Sequence, residues 1–193
     1  MPEIPLEEIS RREVYREVGG ADFTVTEIQT RVKATQEPAQ FNVVSIKNGV
    51  PGTVCVIQSR DGKFLIGKHW RVSTQQWAWE FPRGMGEAGE TVEGTALREL
   101  QEETGITESD ITGKPRNLGF FYPDTGLQSI KVAAVEIQLA EGAHGSAAHA
   151  DWELSGGTQW LSADELRSWI SSGEMTDGMT LVAFALWEAH HRA

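Results

Sequence analysis

Short stretches of apolar or alternating apolar and polar residues recur along most of the chain, as is typical of β-strands. Turn signals such as Asn48-Gly49, Pro51-Gly52 and Asp61-Gly62 separate several of these stretches. The opening segment, residues 1–18, is rich in charged side chains, and no element is predicted there. The pattern predicts strands at 23–28, 41–46, 53–58, 64–67, 77–81, 118–122, 131–139 and 158–161.

Helical signals are concentrated in three places. Glu93 suits the positive end of a helix dipole, and Gly105 is a natural helix terminator. Ser162 and Glu165 form a capping box at the start of a second helix. The predicted helices are 92–104, 163–172 and 179–190. Because strands dominate the first part and helices follow them, we predict an α/β (α+β) fold in which helices pack on a sheet.

Composition narrows the classes of partner. The 193 residues carry 17 basic and 28 acidic side chains, a formal net charge of −11, which disfavours binding to nucleic acid. The single cysteine, Cys55, lies in an apolar run and is expected to be buried and inert. No signal-peptide pattern is present, and no apolar stretch approaches the roughly 20 residues that span a bilayer. We therefore expect a cytoplasmic protein that does not bind membranes.

The candidate chemistry lies in a 23-residue segment from Gly84 to Ile106, which reads GMGEAGETVEGTALRELQEETGI. Its first six residues satisfy the G-x-G-x-x-G pattern of dinucleotide-binding folds. The context argues against that interpretation, because the upstream strands form hairpins rather than a βαβ unit. In addition, the following helix carries acidic residues where a dinucleotide-binding helix packs on its sheet.

These acidic residues share one side of the predicted helix. At about 100° per residue, Glu99, Glu102 and Glu103 fall within an arc of roughly 100°, whereas Leu97 and Leu100 point elsewhere. Such a cluster is usually a solvated acidic face. Its alternative role is to bind divalent cations, since oxygen ligands suit hard ions such as Mg²⁺ and Mn²⁺.

The spacing of the whole segment resembles the Nudix box. Every fixed position of that box is present here: Gly84, Glu90, Arg98-Glu99-Leu100, Glu102-Glu103 and Gly105-Ile106. The resemblance to Nudix hydrolases implies an α/β/α sandwich with a mixed sheet. It also implies an enzyme that cleaves a diphosphate joined to a nucleoside and uses Mg²⁺, or Mn²⁺, as cofactor.

The same resemblance implies roles for individual residues. Glu99 and Glu103 are expected to be the principal metal ligands, with Glu102 assisting. Glu90 belongs to this metal set and, together with the catalytic-site residue Arg98, orients the helix and its loops. The backbone carbonyl of Arg83, just before the box, is a further expected metal ligand.

Flanking segments resemble the ADP-ribose pyrophosphatase subgroup. Lys68-His69-Trp70-Arg71 and Trp79–Gly84 are similar to its "Q-Y-R … E-L-P-A-G" run, and Phe121–Pro123 is similar to part of its "Y-P-S-P-G" segment. The sequence departs from these patterns at Arg83, where alanine is usual, at His69-Trp70 and at Asp124-Thr125. The expected substrate-binding residues are Arg71, Glu80, Trp79 and Pro123.

Two of these assignments have alternatives. Glu80 could bind ribose, a purine edge or a metal. Trp79, like Trp70 and Trp77, lies in a predicted strand region, where core packing is the commoner role of tryptophan.

The general base is expected in the loop at 140–157. In the subgroup this base is often a glutamate on a loop ahead of the last strand, and Glu153 lies seven residues before Trp160. Glu141 and Asp151 are the loop alternatives, and Glu102 is the alternative within the box.

The N-terminal 45 residues exceed what a minimal Nudix domain needs. Similar enzymes use such strands to pair two subunits, so we expect residues 1–45 to mediate a homodimer and residues 46–193 to form the hydrolase domain. The leading function is hydrolysis of ADP-ribose, a small nucleotide substrate, to AMP and ribose 5-phosphate. The alternatives are a nucleoside triphosphate or dinucleotide hydrolase and, in a different class, a non-catalytic ligand sensor.

Overall fold

The computed structural model describes residues 3–143 and 156–192. The chain divides into two compact units, one made of residues 1–50 with 122–131 and the other of residues 51–121 with 132–193. The predicted boundary at residue 45 is close to the end of the first segment, but the return of 122–131 to the N-terminal unit was not anticipated. Among the described residues, no helix has the length and apolarity needed to span a membrane.

The first unit is a three-stranded antiparallel sheet. Its strands follow chain order as β1 (Leu6–Arg16), β2 (Thr24–Val32) and β3 (Pro38–Ser45). The segment 122–131 joins it through Val44, whose N–H donates to the carbonyl of Leu127 at 2.8 Å. Strands β2 and β3 confirm two predicted strands, whereas β1 lies in the charged opening where none was predicted.

The second unit contains the larger, mixed sheet. Its strands lie in the order β10-β5-β4-β9-β8, with β6 added beside β5 and β7 beside β4. Strands β4 and β9 are parallel, whereas the other pairs are antiparallel. The strands are β4 (Gly52–Gln58), β5 (Phe64–Arg71), β6 (Gln76–Glu80), β7 (Arg83–Gly84), β8 (Arg116–Phe121), β9 (Val132–Gln138) and β10 (Thr158–Leu161).

Helices cover both faces of this sheet, which confirms the predicted α/β/α sandwich. Helix α1 (Val92–Thr104) buries Ala96 and Leu100 against one face, in a cluster that includes Leu65 of β5. Helix α3 (Gly178–His191) packs Phe184 and other aromatic rings on the opposite face, around Phe64. Helix α2 (Ala163–Ser172) follows β10.

The predicted helix ends are present in the structure. Thr91 caps α1 by accepting a hydrogen bond from the Gly94 N–H, and Gly105 ends this helix in the left-handed conformation at φ 70°. Ser162 and Glu165 form the expected capping box at α2. The acidic helix is therefore fixed at both ends in the layer that faces β4 and β5.

Candidate active site

Strand alternation decides which residues of the β5–β6 hairpin face α1. Leu65 packs in the α1 cluster, so His69 and Arg71, an even number of residues further along β5, lie on the same side of the strand. Glu80 of β6 is paired with Gly67 and shares that side. The hairpin thus places Arg71, His69 and Glu80 on the sheet face that carries the box helix.

The carboxylates of α1 are less exposed than the sequence suggested. The side chain of Glu102 is 59% exposed, but that of Glu99 is only 12% exposed. Atom Oε2 of Glu103 is buried and has no hydrogen-bond partner. The interpretation of this cluster as a solvated face is therefore wrong for two of its three members, because α1 turns them towards β7 and the Arg83 backbone.

Gly84 makes the close approach of α1 possible. A Cβ atom placed on this residue would lie 1.8 Å from the carboxyl carbon of Glu99. Any side chain at this position would therefore displace Glu99. The glycine that opens the box serves to admit a carboxylate beside the β7 backbone.

Arg98 organises the remaining acidic residues. Its Nε donates to Glu90 at 3.0 Å, and its Nη1 donates to Glu99 at 2.7 Å and to Glu102 at 3.0 Å. Its Nη2 also reaches the carbonyl of Met85 at 2.8 Å. The hydrogen bond from Arg98 is the main cause that lowers the pKa of Glu90 to about 2. Arg98 and Glu90 thus tie the loop before α1 to the helix.

Burial has the opposite effect on the inner pair of carboxylates. Desolvation is the main cause that raises the pKa of Glu103 to about 8, and the nearby charge of Glu99 raises it further. The pKa of Glu99 is also raised, mainly by burial, although Arg98 counteracts this. Two acidic groups thus face each other in a partly desolvated position that disfavours both negative charges.

The residues present fit a divalent cation. Within residues 3–143 and 156–192, no three acidic, histidine or cysteine side chains form a complete cation cage. Mg²⁺ does not require one, since it commonly takes one or two carboxylates and completes its shell with water and substrate phosphate oxygens. The unpartnered Oε2 of Glu103 and its neighbour Glu99 supply such a donor pair.

Glu80 joins two arginines beside these carboxylates. Arg71 donates to both oxygens of Glu80, at 2.8 and 2.5 Å, and Arg83 donates to Oε2 from Nε at 2.9 Å and from Nη2 at 2.7 Å. Both guanidinium groups also lower the pKa of Glu103, which places them within electrostatic reach of it. The site therefore combines a carboxylate pair with a pair of guanidinium groups.

Comparison with known proteins identifies the family. The model of the NUDIX domain family matches residues 50–178. The chain belongs to the Nudix family. The match covers the larger sheet from its first strand, β4, and includes both the box and Asp177 at the start of α3.

Relatives within the family differ in their substrates. An ADP-ribose pyrophosphatase of Bacillus subtilis strain 168 is 44% identical over 92 residues, 47% of this chain and 46% of that protein. An RNA pyrophosphohydrolase of Sphingopyxis alaskensis is 39% identical over 72 residues, 36% of this chain and 44% of that protein. This chain therefore spans about half the length of these curated relatives.

A solved structure has a similar fold over nearly all of the chain. A crystal structure described as an ADP compounds hydrolase superposes with a TM-score of 0.76 and covers 99% of this chain and 98% of its own. Its sequence identity is 16%, so the likeness concerns the fold. It extends the match beyond the Nudix domain to the N-terminal strands.

The structure also places beside this cluster residues that sequence reasoning did not single out as site residues. Asp177 caps α3 and lies 3.4 Å from Arg83, while the hydroxyl of Thr180 accepts a hydrogen bond from the Phe81 N–H. The side chain of His69 is buried, and neither ring nitrogen has a partner. An Asp three residues before a Thr is a capping signal that could have located the start of α3.

Among the other predicted residues, Trp79 is not brought to this cluster. Trp79 lies on the opposite side of the hairpin, where its ring packs at 5.3 Å from that of Trp169. Pro123 belongs to the other compact unit, and Glu153 lies outside the described residues. The contact of Pro123 with substrate, the role of Glu153 as general base and the Arg83 carbonyl as a metal ligand all stay predictions.

Trp70 and Trp77 show where the expectation of core packing is wrong. Their rings contact each other at 5.6 Å, but the residues are 39% and 44% exposed. They occupy the same side of the hairpin as Trp79 but lie nearer to its turn. Only Trp79 of the three is buried.

Proposed function

We propose that this Nudix protein hydrolyses the diphosphate bond of ADP-ribose, or of a similar nucleoside diphosphate sugar, to AMP and a sugar phosphate. The observation that carries the proposal is the juxtaposition of Glu99 and Glu103 with the guanidinium groups of Arg71 and Arg83. A diphosphate needs its negative charge neutralised on both sides of the bond that breaks. Acidic metal ligands beside arginines supply the two kinds of partner for that charge.

In this proposal Glu99 and Glu103 hold Mg²⁺, or Mn²⁺, and Glu102 assists from the exposed side of α1. When bound, the cation would activate water and neutralise charge on the phosphates. Arg98 fixes the orientation of Glu99, and Glu90 fixes Arg98. Arg71 contacts a phosphate, and a carboxylate, for which Glu153 is the candidate and Glu102 the alternative, accepts the proton of the attacking water.

Two similarities support ADP-ribose as the proposed substrate. The flanks of the box are similar to ADP-ribose pyrophosphatases, and the relative that is 44% identical carries that name. The net charge of −11 disfavours a long RNA substrate, although one relative is an RNA pyrophosphohydrolase. The described contacts of Glu80 are with arginines, so its proposed contact with ribose or a purine would need a rearrangement.

The N-terminal unit supports the proposal of a homodimer. Its sheet exposes large apolar side chains that a second copy could cover, including Ile9, Val14, Tyr15 and Phe41, which are 44–53% exposed. The outer strand β1 is exposed along almost its whole length. We propose that two copies pair through this unit in the cytoplasm.

A substrate panel tests the reaction. Purified protein is incubated with ADP-ribose, other nucleoside diphosphate sugars, nucleoside triphosphates, dinucleotides and a 5′-triphosphorylated RNA, with Mg²⁺, with Mn²⁺ and with a chelator. We expect metal-dependent turnover with a clear preference for ADP-ribose. Comparable rates on all substrates, or preference for the RNA, would refute the substrate assignment, and binding without turnover would favour the sensor.

A further inference from the structure

The carboxylate of Glu80 lies at the centre of the site and is enclosed by protein. The residue is 1% exposed, and both of its oxygens accept hydrogen bonds from arginines. These charge-assisted bonds are 2.5 to 2.9 Å long. The N–H groups of Arg71 and Arg83 therefore occupy the carboxylate oxygens of Glu80 that a substrate hydroxyl would need as hydrogen-bond acceptors.

Arg83 is also held from its other side. Its Nη2 lies 3.4 Å from Oδ1 of Asp177, and its Nη1 contacts the sulfur of Met179. Asp177 in turn accepts hydrogen bonds from the backbone N–H and hydroxyl of Thr180, at 2.9 and 2.8 Å. The first turn of α3 thus fixes the Arg83 side chain in one orientation.

What this cluster offers an anion is orientation rather than excess charge. The formal charges of Arg71 and Arg83 are matched by those of Glu80 and Asp177, but both guanidinium groups are held in place by these carboxylates. The side chains of Arg71 and Arg83 are 26% and 19% exposed, so both reach the surface while Glu80 does not. An anion at this surface would meet two fixed positive groups without the entropic cost of ordering two long side chains.

The buried imidazole of His69, which has no hydrogen-bond partner, independently points to a polar ligand or water at this position. Its residue is 1% exposed, and neither Nδ1 nor Nε2 has a hydrogen-bond partner. It lies on the same side of β5 as Arg71, and the charges of Glu80, Arg71 and Arg83 all act on it. Buried polar atoms without partners destabilise the protein, so a polar ligand or water that bonds to them would be stabilised.

We propose that Glu80 is a positioning residue that holds Arg71 and Arg83 together as a preformed receptor for one phosphate of the substrate. This inference rests on the proposed function, because it specifies how the same site recognises a diphosphate. It assigns the anchoring role to Glu80 rather than a contact with substrate. It also assigns phosphate binding to Arg83, the residue that replaces the alanine usual in the subgroup.

Charge alone and positioning make opposite predictions for Glu80→Gln. Removal of a negative charge between two arginines should strengthen anion binding if only net charge matters. If Glu80 positions the arginines, the amide, which accepts through one oxygen only, releases them and binding weakens. The direction of the change therefore distinguishes the two accounts.

The probe is α,β-methylene-ADP with Mg²⁺, whose P–C–P link resists hydrolysis of the diphosphate. Isothermal titration calorimetry on the full chain gives its Kd for the wild type, Glu80→Gln, Arg83→Lys and Glu80→Gln/Arg83→Lys. We expect each single variant to raise Kd about tenfold, and the double variant to be little worse than either, because the two changes act on one unit.

Glu136→Gln is the matched control. Glu136 is also a shielded carboxylate paired with an arginine, Arg116, but it lies on β9 and contacts Trp187 of α3. The Kd of Glu136→Gln for α,β-methylene-ADP should stay within about twofold of the wild-type value. An equal loss in this control would show that general stability, not positioning, controls binding, and would overturn the proposal.

Arg83→Lys provides a second test if Glu80→Gln fails to fold. The lysine keeps the positive charge and removes only the planar guanidinium group that can donate two parallel hydrogen bonds. A Kd that falls or stays unchanged in Glu80→Gln, wild-type affinity in Arg83→Lys, or no probe binding by the wild type would overturn the inference. If the probe behaves as expected and ADP-ribose is not hydrolysed, the proposed reaction alone fails. If ADP-ribose is hydrolysed and these variants bind normally, only the inference fails.

Discussion

Glu103 combines two properties that are seldom tolerated in one side chain, a buried position and an oxygen without a partner. Desolvation and the charge of Glu99 both oppose its ionisation, so the pKa rises to about 8. This arrangement costs stability in the metal-free protein. A cation relieves the cost, so the same residue links metal binding to folding.

Glu103→Gln should therefore stabilise the metal-free protein while it lowers the rate of hydrolysis about a hundredfold or more. The folded-state pKa lies above the unfolded value, so the unfolded chain loses its proton first. The contribution of Glu103 to the stability of the wild type is thus most favourable below about pH 4.5, and it is lost as pH rises from there to about 8. Thermal unfolding in chelator should show a higher melting temperature for Glu103→Gln than for the wild type, and this difference should grow between about pH 4.5 and 8.

Glu102→Gln is the control for stability, since Glu102 lies on the same helix and is largely exposed. Its melting temperature should follow that of the wild type at all pH values. A Glu103→Gln protein that is no more stable than the wild type at pH 8 would contradict the buried position of this carboxylate.

Gly84→Ala should remove activity and lower stability, because a Cβ atom at this position would lie 1.8 Å from the Glu99 carboxyl carbon. The neighbouring atoms belong to a side chain held by Arg98, so relief of the clash would move a metal ligand. Steady-state rates and thermal unfolding measure both effects. Gly94→Ala is the matched control, since its Cβ would lie 3.4 Å from the Thr91 hydroxyl, and near-normal activity is expected. Normal activity in Gly84→Ala would refute the role of the close approach.

At the residue scale, spacing in the sequence located Glu99, Glu102 and Glu103 on one side of a helix. It could not show that the inner two are buried, because burial depends on β7 and on the loop held by Arg98. It also could not show that Glu80 is enclosed by two arginines. One of those arginines is nine residues away, so the contact depends on the register of the β5–β6 hairpin.

Among the secondary structure elements, α1, β7 and α3 together with the β5–β6 hairpin determine the geometry of the site. Helix α1 supplies the carboxylates, and β7 supplies Gly84 and the base of the Arg83 side chain. The start of α3 is connected to the segment before β7 through the Thr180 hydroxyl, which accepts the Phe81 N–H at 3.0 Å. This link fixes the segment 80–84 between the two helical layers.

Thr180→Val should lower the free energy of unfolding by about 1–3 kcal/mol, because the Phe81 N–H is buried and would lose its acceptor. Urea unfolding in chelator measures the change. Thr74→Val, at an exposed position in the β5–β6 turn, should change this free energy much less. Equal stability of Thr180→Val and the wild type would show that the link does not fix this segment.

The prediction of helices and strands succeeded where the sequence carries clear capping or alternation signals. It failed for a strand whose side chains are almost all exposed. The bounds of α1, Val92–Thr104, agree with the predicted helix, because Glu93 marks its first turn and Gly105 ends it. Strand β1 was missed, because a strand that is exposed on both faces has no apolar alternation to detect. Its stability depends on pairing with β2, which follows it after the loop at 17–23.

At the scale of the whole molecule, the family match begins at residue 50, where the N-terminal sheet has ended. Deletion of residues 1–38 removes β1 and β2 and should yield a monomer with weaker substrate binding if that sheet forms the dimer. Sedimentation velocity of the full and shortened chains measures the change. A soluble shortened chain with the same oligomeric state as the full chain would refute the proposed interface.

The most direct test of the account follows ADP-ribose by ³¹P NMR in the presence of the full chain and Mg²⁺. The account predicts loss of the two diphosphate signals and growth of the signals of AMP and ribose 5-phosphate. Chelator should stop this conversion, and Glu103→Gln should slow it about a hundredfold or more. Diphosphate signals that persist with the wild-type protein and Mg²⁺, or equal rates for Glu103→Gln, would contradict it.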